Sequence, residues 1–276
     1  MDNRAIGVFD SGLGGLTAVR QLQKLMPDEH IIYFGDTGRV PYGSRSRRTI
    51  IQYTRQDTAF LLSHPLKAIV VACGTVSSVA MGTVQQEVSI PMVGVVQPAC
   101  RRAVQETKNR KIGIIGTKGT IQSGSYEAGL HTLNPSVQTI ARACPLFVPL
   151  VENGRFRTGD RVAELVVEEY LQEIRAFGVD TLILGCTHYP LLAELIRAYM
   201  GDQVTLIDPG AEAAAYTKTF VEPCEPGNGR TEYYVSDDPD SFGQYASVFL
   251  GGNETVRADL VDIASYETIR KGNQKG

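Results

Sequence analysis

The sequence predicts an α/β protein of two similar parallel-sheet domains, the second inserted into the first. Three observations carry that prediction. Short β-branched runs alternate with helix-period segments almost from end to end. The halves echo each other, IGVFDSGLGG (6–15) against IGIIGTKGT (112–120), each a strand running into a Gly/Ser/Thr loop. Further on, AIVVACGT (68–75) echoes TLILGCTH (181–188), each a buried-type strand with a cysteine at its end and a threonine beyond it. The interval from loop to cysteine is similar in the two halves, Asp10 to Cys73 and Thr117 to Cys186.

In chain order the strand candidates are Ile6–Phe9, Ile31–Phe34, Ala68–Ala72, Met92–Val96, Ile112–Gly116, Val137–Ala141, Thr181–Leu184 and Val204–Ile207. Amphipathic stretches lie between them. In Leu16–Met26, residues Leu16, Val19, Leu22, Leu25 and Met26 form one stripe, and Pro27 stops the helix. In Arg161–Phe177 the apolar positions are Val162, Leu165, Val166, Leu171 and Ile174. Pro190 suits a first helical position ahead of Leu191, Leu192, Leu195 and Ile196. After Asp208 the segments Ala211–Phe220, Glu232–Val235 and Val256–Ile263 are helix-like or strand-like, with no cysteine-ended strand among them. The tail is therefore expected to complete the first domain, giving residues 1–97 plus 209–276 around Cys73 and residues 98–208 around Cys186.

Bulk properties exclude several classes. The 276 residues are 43% hydrophobic and 21% charged, an ordinary globular composition. A net charge of −3 leaves no electrostatic footprint for nucleic acid or a lipid surface. The N-terminal MDNRAIGVFD has neither the basic nor the long apolar region of a signal peptide, and no apolar run spans a bilayer. Five scattered cysteines without a CxxC pair point to reduced thiols in a cytoplasmic protein.

In open α/β sheets, ligands bind at the carboxyl ends of strands, where the next helix presents free N–H groups. Cys73 and Cys186 both stand there. A lone buried cysteine is more often a small hydrophobe, but two at one topological position of matching halves are not. A helix N-terminus is also expected to draw a thiol pKa down toward neutrality. Cys100, Cys144 and Cys224 have no such setting. Two equivalent thiols suit a proton exchange at a stereocentre, with base on one face, acid on the other, and the roles swapped in reverse. A cysteine hydrolase would need one nucleophile, a His and an oxyanion hole.

The motifs DSGLGG (10–15), GDTGRVPYG (35–43), ACGT (72–75), PLVENG (149–154) and GCTHYPLL (185–192) resemble, in order and spacing, the glutamate racemases of bacterial cell-wall synthesis. The resemblance covers nearly the whole chain. It implies a cofactor-independent isomerase of two pseudo-symmetric, doubly wound (flavodoxin-like) domains with the active site between them, supplying D-glutamate for peptidoglycan and hence cell shape. The implied catalytic thiols are Cys73 and Cys186, with Asp10 beside Cys73 and His188 and Glu152 beside Cys186. Implied substrate contacts are Asp10, Ser11, Tyr42, Gly43, Gly74, Thr75, Thr187 and His188, with Thr117 a lesser one. The expected partners are small-molecule glutamate and a second copy of the chain, with no metal, nucleic acid or membrane.

The residues have plainer readings beside these. Asp10 also suits a turn or cap, and His188 a structural role. Glu152 also suits the surface, the Ser and Thr residues suit capping, and Tyr42–Gly43 suits a turn. The family usually has Asn where this chain has Gly74, so a side-chain contact to the substrate's polar head is replaced here by a backbone amide or water. A dinucleotide fingerprint fails because Thr17 stands where its last glycine belongs. A zinc site from Cys73, Cys186 and His188 has too few closely spaced ligands. A racemase of another acidic amino acid such as aspartate, or a non-catalytic amino-acid-binding relative, remains open on sequence.

Overall fold

Runs such as AIGVFD, LKAIVV and TLILG are apolar enough to be buried on both faces, which forces helices onto both sides of the sheets they join. A computed structural model of the chain describes residues 1–252 and 256–266. The strands are β1 (Ala5–Asp10), β2 (His30–Gly35), β3 (Leu66–Val71), β4 (Met92–Gly94), β5 (Lys111–Gly116), β6 (Gln138–Ala143), β7 (Thr181–Gly185), β8 (Thr205–Ile207), β9 (Arg230–Val235) and β10 (Asp259–Leu260). They form two sheets, ordered β10-β9-β2-β1-β3-β4 and β6-β5-β7-β8. Every pairing is parallel.

Without its two added edge strands, the first sheet has the order of the second. The chain steps from β1 to β2 on one side, then crosses to β3 and β4 on the other, and β5 to β8 repeat that path. The reversal at β1/β3 and at β5/β7 opens a crevice at the carboxyl ends of those strands. The sequence echo is therefore one topology used twice.

The eight expected strands are present, with shifted ends. Met92–Val96 stops at Gly94, because Val96 opens the helix Val96–Glu106. Helix Arg161–Phe177 keeps its expected bounds. The Asp160 carboxylate accepts the N–H groups of Val162 and Ala163, and Gly178 closes it at φ +77°. The segment 256–263 holds only the two-residue β10 before a 3₁₀ turn, Ile263–Ser265. A helix at Pro239–Leu250 lies where no element was expected.

The two sheets share an apolar core. Helix Pro209–Lys218, on the return from the second sheet, packs against helices Leu16–Leu25 and Val96–Glu106. The core runs from Val8 and Ile31 through Leu16 and Ala213 to Leu182 and Leu184. No helix among the described residues is long and apolar enough to cross a membrane.

Candidate active site

The carboxyl ends of both sheets face one open cavity of about 1060 Å³. That exceeds the roughly 300–1,000 Å³ usual for small-molecule sites. Ser11, Tyr42, Gly43, Cys73, Gly74 and Thr75 reach its wall from the first sheet, and Thr117, Glu152, Cys186, Thr187 and His188 from the second. Asp10 is buried just behind the wall.

On the first side, Cys73 caps the six-residue helix Gly74–Val79 and is 4% exposed. Its thiol lies 3.5 Å from the Ser11 hydroxyl. Burial and then the Asp10 charge push the thiol up to about 12, against smaller pulls from Ser11 and the Val76 N–H. The expected drop toward neutrality is therefore overturned. A helix of two turns gives a weak field, while burial and an adjacent carboxylate both disfavour a thiolate. Asp10 is itself raised by burial, which outweighs His188 and the N–H groups of Gly15, Gly12 and Ser11. Gly12 donates to its Oδ2 at 3.0 Å. The Tyr33 hydroxyl, donating to the Gly12 carbonyl at 2.6 Å, pins the same loop from beneath.

On the second side, Cys186 follows β7 directly and is 8% exposed. His188 Nδ1 stands 4.0 Å from its sulfur, and His188 Nε2 is 3.1 Å from Glu152 Oε1. Burial lowers the His188 pKa, but hydrogen bonds to Cys186 and Glu152 and the nearby Asp10 charge overcome it and hold it at about 10. These partners favour the imidazolium form of the ring beside the sulfur. The Phe249 ring packs edge-on against it, centroids 5.4 Å apart.

The halves meet closely around these groups. The Thr75 and Thr117 hydroxyls are 3.0 Å apart across the cleft, and Thr117 caps helix Lys118–Gln122. Thr187 Oγ1 lies 3.5 Å from Asp10 Oδ1. Thr17 Oγ1 donates to the Thr187 carbonyl at 3.1 Å. A Cβ at Gly74 would land on the Gly185 carbonyl oxygen, with the carbonyl carbon 3.2 Å away. A Cβ at Gly14 would strike Thr187 and His188. The Tyr42 hydroxyl is committed to Asp36 and Asp57, so Tyr42 turns other atoms to the cavity.

Several wall residues escaped the sequence reading. Lys118 is exposed on the wall, and with His188 it makes up the cationic side chains there among the described residues. Phe242, Tyr245 and Phe249 come from helix Pro239–Leu250. Asp238 followed by Pro239, an N-cap before a first-turn proline, was the signal for that helix. Cys144 lies on the wall, buried, with its thiol pushed up by that burial. Among the described residues, no group of three or more His, Cys, Asp or Glu is placed to hold a metal ion.

Twin flavodoxin-like sheets that share one cleft, each supplying a cysteine to it, define an α/β protein built to hold a small molecule between two like halves. The chain matches the profile of the Asp/Glu/Hydantoin racemase family over residues 16–217. It is 45% identical over 254 residues to the glutamate racemase of Geobacter metallireducens, covering 90% of this chain and 93% of that one. A glutamate racemase isoform from Bacillus anthracis superposes with a TM-score of 0.89 at 37% identity, covering 95% of this chain and 98% of that one. The glutamate racemase of Francisella tularensis, solved in complex with D-glutamate, gives 0.88 at 37% identity, covering 96% and 100%. The chain belongs to the Asp/Glu/Hydantoin racemase family and within it stands with the glutamate racemases.

Proposed function

We propose that the protein interconverts L- and D-glutamate by passing the α-proton between two cysteines, Cys73 on one face of the α-carbon and Cys186 on the other. The observation that carries this reading is the matched pair itself, one cysteine at the same topological position in each half, both on one cavity. One sulfur, as thiolate, takes the α-proton. The electron pair left behind spreads into the α-carboxylate, and the opposite thiol delivers its proton to the other face. The sulfurs end with exchanged protonation states, from which the reverse reaction starts. Both transfers come from side chains, so this reading needs neither pyridoxal phosphate nor a metal.

Asp10 and Ser11 serve Cys73, and His188 and Glu152 serve Cys186. The hydroxyls of Ser11, Thr75, Thr187 and Thr117, the Tyr42–Gly43 segment and the Gly74 backbone hold the substrate's polar groups. Lys118 draws an acidic molecule toward the cleft. The relatives' names, and the D-glutamate in the Francisella structure, favour glutamate over aspartate. Supply of D-glutamate to peptidoglycan in the cytoplasm belongs to the same reading, and five free cysteines suit that reducing compartment. We divide the chain functionally into 1–97 plus 209–276 and 98–208, and take it to act as a homodimer, which light scattering checks.

The test is purified protein with D- or L-glutamate in D₂O and no added cofactor. α-Deuteration followed by NMR and appearance of the enantiomer on a chiral column are expected, with aspartate turned over poorly. Activity that vanishes on dialysis against a chelator, or an internal-aldimine absorbance band, would overturn the reading. So would a preference for aspartate.

A further inference from the structure

Beneath the segment 37–44 that walls the cleft lies a buried cluster outside the thiol machinery. Asp36 and Asp57 side chains are both 0% exposed, and Arg39 sits between them. Arg39 Nε donates to Asp36 Oδ2 at 2.6 Å and Nη2 donates to Asp57 Oδ1 at 2.8 Å. Its guanidinium also reaches Gln56 Oε1 at 2.6 Å and stacks 4.1 Å over the Tyr53 ring. The Tyr42 hydroxyl contacts Asp36 Oδ2 and lies 3.0 Å from Asp57 Oδ2. Ser236 donates to Asp36 Oδ1 at 2.7 Å.

Counting protons and charges shows what this arrangement needs. Two ionised carboxylates against one guanidinium would leave a surplus negative charge in a place closed to water, which is strongly unfavourable. The next acid, Asp10, makes it worse. The Tyr42 hydroxyl has one hydrogen and two carboxylate oxygens beside it, so it can donate to only one and must accept from the other. Asp36 receives Arg39, Tyr42 and Ser236, three donors, which is how a carboxylate is satisfied. Asp57 has Arg39 at one oxygen and, at the other, only the shared Tyr42 hydroxyl 3.0 Å away.

We infer that Asp57 carries a proton at neutral pH and donates it to Tyr42, so that an Asp57–Tyr42–Asp36 chain locks the cleft segment 37–44 in place. Burial first, and then the Asp36 charge, push the Asp57 carboxyl well above the usual carboxylate range, against smaller pulls from Arg39 and Tyr42. Asp57 does not line the cleft, so it acts as a positioning residue through Tyr42 and Gly43, whose atoms do.

The proton makes the two acids unequal, and that inequality is the test. In Asp57→Asn the side-chain N–H replaces the acid O–H toward Tyr42, while the oxygen still accepts from Arg39. Its kcat and KM for glutamate are expected to stay within about threefold of wild type, a shift smaller than one net hydrogen bond. Asp36→Asn turns an N–H toward converging donors. Its KM is expected to rise about tenfold or more, the effect of losing a charge-assisted hydrogen bond, with a smaller change in kcat. Should Asp36→Asn not fold, Ser236→Ala, which removes one donor, takes its place with a smaller rise in KM. Infrared difference spectra of wild type against Asp57→Asn should show a protonated-carboxyl band that the variant lacks. Equal damage from the two Asn variants, harmlessness of both, or no such band in wild type would overturn the inference. The kinetic arm rests on the glutamate reading, whereas the infrared band does not, so the two failures are distinguishable.

Discussion

The Cys73 and Cys186 sides have the same backbone and opposite electrostatics. Each cysteine follows the third strand of a 2-1-3-4 sheet. Cys73 is backed by a carboxylate, Asp10, and a hydroxyl, Ser11, and its thiol is pushed up to about 12. Cys186 is backed by an imidazolium held at about 10, which a half-exposed Glu152 steadies from outside. Repetition of a fold supplies matched positions for two cysteines, and the side chains around them then divide the charge. A neutral thiol is favoured on the Cys73 side, and on the other an imidazolium stands beside the sulfur. Asp10 and His188 also feel each other directly, so the two sides are one coupled electrostatic unit.

Removing either sulfur breaks the comparison most severely. Cys73→Ala and Cys186→Ala should each lose racemisation by about a thousandfold or more, within the usual range for a general acid or base. They should fail differently. With a glutamate analogue carrying a β-leaving group, each variant should still eliminate from the one enantiomer whose α-proton faces its remaining thiol. Near wild-type racemisation by either variant would end the two-thiol account.

Gly74 tests whether the halves must approach as closely as they do. Since a Cβ there meets the Gly185 backbone, Gly74→Ala and Gly74→Asn should both lose activity, with stability reduced by about 1–3 kcal/mol from overpacking. Thermal denaturation and kcat/KM for both enantiomers check this. Improved kcat/KM in the Asn variant alone would mean that a missing side-chain contact, not backbone proximity, governs position 74.

The imidazolium sharpens the comparison through pH. His188 is raised from 6.5 to about 10 in the folded chain, so folding takes up a proton between those values. Its contribution is complete below pH ~6.5 and is lost as pH rises through about 10. The melting temperature of wild type should therefore fall over that window more steeply than that of His188→Asn, and parallel curves would refute the assignment. The smallest effect belongs to Lys118. Lys118→Gln should lower kcat/KM a few-fold at low ionic strength and leave it nearly unchanged at high salt, because a rim charge acts mainly on encounter.

The repeated α/β plan is legible in the sequence, because strand and helix patterns are local and a buried parallel strand writes itself as a continuous apolar run. The sequence also placed Cys73 and Cys186, since a cysteine directly after such a run can only stand at a carboxyl edge. The helix Arg161–Phe177 was legible to its last residue, because Asp160 and Gly178 mark its ends chemically. Helix Pro239–Leu250 was not, although Asp238–Pro239 signalled its start. Gly243 interrupts its pattern and is tolerated because the backbone of Val256 comes within 2.6 Å of where a Cβ would stand. The thiol's proton affinity was beyond the sequence as well. A helix N-terminus is visible in one dimension, whereas the burial and the Asp10 charge that override it depend on residues distant in the chain. The Asp36–Tyr42–Asp57 cluster was hidden for the same reason. Asp36 and Asp57 lie in separate elements with no local pattern joining them, and only folding of helix Arg47–Leu61 against the end of β2 brings two carboxyls onto one hydroxyl. Charge states follow distance in space and access to water, which tertiary structure alone decides.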